Sequence, residues 1–124
     1  MGDTNKVLLR AAELVEQGWC QHVGAQRAGH SVPWNAADVD QVCLTTAVAR
    51  AVGEITGEPI GESVNEAGLV AFVQHPLLVA SAERLYACYP EWTDGMAPIR
   101  WNNTPGRTAD EVAALLRRAA QEGS

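Results

Sequence analysis

With 124 residues, 47% hydrophobic and 19% charged, the chain has the balance of one globular domain, 1–124, and not that of a disordered tail or a disulfide miniprotein. A formal net charge of −6, with its few cations scattered, argues against nucleic acid as a partner, and no apolar run approaches the ~20 residues of a membrane span. Cys20, Cys43 and Cys88 are an odd number without a CxxC pair, and the N-terminus lacks a signal-like apolar core, so thiols in a reducing cytoplasm are expected.

Asp3 or Thr4 can cap a first helix, which places Val7, Leu8, Ala11, Leu14 and Val15 on one face and Lys6, Arg10, Glu13 and Gln17 on the other. Gly18 ends it, and Trp19 follows, either folded back on the helix end or free to stack on a ligand. Residues 21–33 read as loop, punctuated by Gly24, Gly29 and Pro33. Asn35 is placed to cap a helix running to about Ile55. Its apolar positions, among them Val39, Val42, Cys43, Leu44, Ala47, Val48, Ala51 and Val52, cover most of the circumference, as a central helix requires. Arg50 and Glu54 are spaced as a surface pair.

Ser63 and Glu66 form a capping box for a helix through Val73, and Pro76 breaks it and opens the next. That next helix carries Leu77, Leu78, Ala82, Leu85 and Tyr86 and stops near Pro90. Residues 92–95 read as a turn, and Ile99 to Trp101 as a brief extended piece without a partner strand. Thr108 and Glu111 make a second capping box, and Val112, Leu115, Leu116 and Ala119 form the inner face of the last helix. The fold class is therefore all-α: a compact single-domain bundle of about five helices, closed by the structured Trp101–Thr108 loop before the C-terminal helix.

The segment IRWNNTPGRTADEVAALLRRAA resembles the signature of a family of small actinobacterial and actinophage proteins known as a domain of unknown function. Three places carry the likeness: Gly18-Trp19-Cys20, then Cys43-Leu44-Thr45-Thr46-Ala47, then Trp101-Asn102-Asn103 with Gly106-Arg107-Thr108 and Glu111-Val112. In the resembled pattern the residue after Trp-Asn is usually Asp, so Asn103 is a departure. If that carboxylate acts as a general base in relatives, this chain lacks it. The resemblance supports the layout and implies no activity.

Cys20 and His22 supply a thiol and an imidazole close in sequence, the raw material of nucleophilic catalysis, although buried cysteines on helical faces are usually inert. A composite metal site from Cys20, His22 and His75 lacks ligand-pair spacing, so neither metal nor cofactor is expected. Arg107, at a helix start, could hold an anion, but Asp110 and Glu111 occupy that first turn, and pairing with Asp94 or with loop carbonyls is the simpler fate.

The expectation that follows is a cytoplasmic binding or interaction module. It engages a protein or small ligand through the Trp101–Arg107 loop, with Trp19, Trp101, Asn102, Asn103 and Arg107 as ligand-binding candidates. The alternative is a small cofactor-independent enzyme. It would use acid–base or electrostatic catalysis on a small molecule, secondary metabolites included, in a pocket lined by Cys20, His22, Trp101, Asn102, Asn103 and Arg107. Cys20, His22 and Asn103 are then the catalytic candidates, and a homodimer stays open.

Overall fold

A computed structural model describes residues 2–23, 25–32, 38–57, 76–94 and 96–122. In chain order its elements are α1 (Gly2–Gln17), β1 (Ala25–Arg27), β2 (His30–Val32), β3 (Gln41–Val42), α2 (Leu44–Thr56), α3 (Pro76–Cys88), α4 (Ala97–Asn102) and α5 (Ala109–Glu122). The fold is mostly helical, but all-α needs correcting, because a small antiparallel sheet of order β2-β1-β3 lies between α1 and α2 in the chain.

α1 packs against both α5 and α2, and α5 also packs against α3. The seams are rich in alanine: Ala11 and Ala12 of α1, Ala47, Ala49 and Ala51 of α2, and Ala113, Ala119 and Ala120 of α5 are all buried. Small side chains let backbones approach, and Leu8, Val15, Val48, Val52, Leu78, Leu85 and Leu116 fill the remaining volume. As its sequence pattern predicts, α2 is buried round most of its circumference, from Leu44 to Val52. Arg84 of α3 ties the bundle's end together by donating to Asn5 Oδ1 on α1 (2.6 Å) and to the Ala120 carbonyl of α5 (3.2 Å). A cation there also satisfies carbonyls that a helix C-terminus leaves open.

Local signals fare well where the partner is close in sequence. Pro76 opens α3. At α5, Glu111 N–H donates to Thr108 Oγ1 (3.2 Å) and Thr108 N–H to Glu111 Oε1 (3.0 Å), the reciprocal capping box.

Three expectations change. The predicted loop 21–33 contains a hairpin: Ala28 and Gly29, at φ 53° and 81°, form its two-residue turn, the conformation that suits tight hairpins. The helix expected from Asn35 begins only at Leu44, after β3. The predicted extended piece at 99–101 is part of α4. In addition, Glu54 pairs with Arg10 of α1 (2.8 Å) where a pair with Arg50 was expected. The Ser63–Val73 helix, Trp34, Asn35 and His75 lie outside the described residues. None of the described helices is long and apolar enough to cross a membrane.

Candidate functional site

Gly18 follows α1 at a point where no side chain fits. A Cβ on it would lie 1.9 Å from the Asp40 carbonyl oxygen, because the strand leading into α2 passes directly over the helix end. That strand is held by Val42 N–H donating to Gly18 O (3.0 Å) and Cys20 N–H donating to Val42 O (3.1 Å), a parallel pairing with Trp19 opposite Val42. Continued, the ladder would join Leu44 N–H to Cys20 O. The carboxamide of Asn102 sits in that rung instead. Its Oδ1 accepts from Leu44 N–H (3.1 Å) and from the Trp19 indole (2.7 Å), while its Nδ2 donates to Cys20 O (3.2 Å) and to Asn103 Oδ1 (3.1 Å).

Asn102 is 1% exposed, and these four bonds fill its donor and acceptor capacity. It also does what no side chain of α2 does, since Cys43 in the N-cap position makes no cap bond and Asn102 takes the first amide in its place. Around it, Gln21 Nε2 donates to the carbonyls of Asn102 (2.9 Å) and Thr104 (3.0 Å), and His22 N–H donates to Asn103 Oδ1 (2.7 Å). The network thus joins the exit of α1, the start of α2 and the end of α4.

A second cluster gathers around Trp101 and Trp92. Trp92 stacks on Tyr89 (4.8 Å, 16° between planes), meets Tyr86 edge-on (5.4 Å) and lies 6.2 Å from Trp101. The Arg107 guanidinium covers Trp101 at 4.0 Å from the ring centroid, donates to the Trp101 carbonyl (3.1 Å) and pairs with Glu111 (3.2 Å). Of the two expected fates for Arg107, the loop carbonyl is the one observed, and Asp94 pairs with Arg100 (2.7 Å). Trp101 is half-buried, and the indole that Asn102 binds is that of Trp19.

The predicted site residues therefore divide. Trp19, Asn102 and Asn103 share one network, which Cys20 and His22 enter through backbone atoms. Trp101 and Arg107 belong to the aromatic cluster. Cys20 and His22 do not form a nucleophile and base in this arrangement: His22 is exposed at φ 72°, while the Cys20 sulfur is buried and donates to Val23 O (3.6 Å). Burial, aided by the neighbouring Cys43 and Asp40, pushes the Cys20 thiol up to about 12, which keeps it protonated at neutral pH. Asn103 Oδ1 is an acceptor for two N–H groups, a role that an aspartate could fill equally. Among the described residues no group of three or more His, Cys, Asp or Glu side chains could hold a metal.

Sequence reasoning missed Gln21, the Leu44 amide and the aromatic set Tyr86, Tyr89 and Trp92. The last had a visible signal, three aromatics at intervals of three residues.

A family described as a family of unknown function (DUF6197) matches residues 2–122. The chain belongs to this family. The match spans both clusters and every element of the fold, so the network and the aromatic face lie within the unit that defines the family. No curated protein and no solved structure matches the chain.

Proposed function

We propose that this member of the family is a cytoplasmic, non-catalytic binding module that engages a protein or small ligand through the Trp101–Arg107 loop and the aromatic face beside it. The observation that carries the reading is a division of labour. Asn102 and Asn103 are committed to internal hydrogen bonds, whereas Trp92, Trp101, Tyr86, Tyr89 and Arg107 form a half-buried aromatic face with a cation on it. Tryptophan, tyrosine and arginine are the side chains that most often dominate binding energy at interfaces. Met96, 44% exposed, stands at the N-cap position of α4. The high thiol pKa of Cys20 and the committed amides weigh against the enzymatic alternative. A net charge of −6 weighs against nucleic acid or an anionic membrane surface as the partner.

The test compares tagged wild type with Arg107→Ala and Trp92→Ala after purification from the native cell, with mass spectrometry for bound proteins and small molecules. A species retained by wild type and lost from both folded variants is the expected result. Equal retention by all three would remove this face from the proposal, and release of a chemically altered small molecule would favour the enzyme.

A further inference from the structure

The Trp19–Val42 pairing has a second outcome, at the next residue along each strand. In a parallel ladder, residues opposite each other send their side chains to the same face. Cys20 and Cys43 are that next pair, between the direct rung at Val42 and the one bridged by Asn102 at Leu44. Strands of a ladder lie ~4.8 Å apart and a disulfide spans Cα separations of about 4.4–6.8 Å, so the register at the Trp19–Val42 bridge permits a bond one residue on, before Asn102 parts the strands at Leu44. Both residues are buried, at 6% and 7% exposure. All three cysteines are present as thiols, and Cys88 lies on α3, outside this ladder.

We propose that Cys20 and Cys43 form a reversible dithiol–disulfide site, oxidised by a hydroperoxide and reduced again by a small-molecule thiol. Roles follow from surroundings. Cys43 Sγ donates to Thr46 Oγ1 (3.3 Å) and lies 3.3 Å from Thr45 Oγ1, at the start of α2. Both hydroxyls can also rotate to donate to that sulfur, and the start of α2 lies beside it. With two hydroxyls beside it, Cys43 is assigned as the attacking sulfur, and Cys20 as the resolving partner. In the first step Cys43 sulfur bonds to one peroxide oxygen, the O–O bond breaks, and the other oxygen leaves as water after taking a proton. Cys20 sulfur then attacks the Cys43 sulfenic acid, the S–O bond breaks, and the leaving hydroxide departs as water with the Cys20 proton. Two thiols lose two electrons and two protons in all, and the peroxide becomes two waters. Two molecules of a small thiol reverse the bond through a mixed disulfide. The burial of both sulfurs suits an oxidant as small as hydrogen peroxide.

The test uses the full, folded chain. Wild type is treated with hydrogen peroxide, alkylated and digested with trypsin, which separates Cys20 in peptide 11–27 from Cys43 in peptide 28–50 and leaves Cys88 in a third. The expected product is a cross-linked 11–27/28–50 pair that dithiothreitol dissolves, with Cys88 alkylated as in the untreated control. Cys20→Ala should accumulate a Cys43 sulfenic acid that dimedone traps, and Thr46→Val should slow its formation by roughly tenfold. Unlinked thiols at full recovery, single over-oxidised cysteines or a bridge to Cys88 would overturn the site. Because the wild-type peptide map needs no variant, a misfolded substitution leaves the proposal testable.

Discussion

Asn102 has three partners that lose their bond when its amide is removed: the buried Leu44 N–H and Cys20 carbonyl, and the part-buried Trp19 indole. A buried group without a partner costs about 1–3 kcal/mol, so Asn102→Ala is expected to lose ~3 kcal/mol or more in denaturant unfolding. Arg107→Ala removes one cation–π contact, one bond to a carbonyl and the pair with Glu111, from a side chain still partly in water, and should lose about 1–2 kcal/mol. If Arg107→Ala proves the more damaging of the two, the network is not what holds this end of the molecule. Asn103→Asp tests a different point. The new carboxylate accepts the same two N–H groups, so stability should stay within about 1 kcal/mol of wild type at neutral pH. A larger loss would mean that position 103 must be a donor. The sequence marks this cluster as rich in hydrogen-bonding groups. It does not say that Asn102 faces inward while Arg107 lies on a ring, because the deciding partners, Trp19 and Leu44, are far away in the chain.

Elements whose ends are set locally were readable, and those set from a distance were not. Thr108 with Glu111 and Pro76 act within one turn, so residue type and spacing suffice. The start of α2 differs: Val39, Val42 and Cys43 continue its apolar period, and the strand pairing of Val42 together with the amide of Asn102 at Leu44 N–H fixes where the helix begins. The hairpin was hidden for another reason, since Ala25-Gln26-Arg27 and His30-Ser31-Val32 contain almost no β-branched residues, and the pairing with β3 holds them. Gly18→Ala asks how rigid that passage is. Its Cβ meets backbone, which cannot rotate away, so a loss of about 1–3 kcal/mol or more is expected in the same unfolding assay. Silence there would mean that the Asp40 strand shifts freely. Acid acts on helix starts as well. The bond from Thr108 N–H, with Arg107 alongside, holds Glu111 below its ordinary 4.5, and Arg100, then Met96 N–H, hold Asp94 below 3.8. A carboxyl whose folded pKa is depressed stabilises above its unfolded value and loses that contribution as pH falls through the folded one. The urea midpoint should therefore drop as pH falls from about 4.5 toward 3, by less in Glu111→Gln, and a midpoint flat across that range would count against both contacts. The effect is small because both groups are solvent-exposed.

For the molecule as a whole, alanine decides how closely the helices lie. Ala12, fully buried on α1, has no room for a larger group, so Ala12→Leu should destabilise by about 1–3 kcal/mol and lower the melting temperature, where an exposed alanine would tolerate the change. That bundle character was legible from composition and periodicity, and the sheet was the part that was not. The placement of Asn102 also bears on the order in which the chain can finish folding. Its bonds reach back 58 residues to Leu44 and 83 to Trp19. During synthesis α1, the hairpin and α2 are made before residue 102 exists, and contacts of such separation form late. The growing chain therefore carries an α2 whose first amide and a Trp19 whose indole wait, satisfied only by water, for a side chain not yet made. The early part of this protein is completed by its late part, and a chain arrested ahead of α4 holds that junction open to solvent.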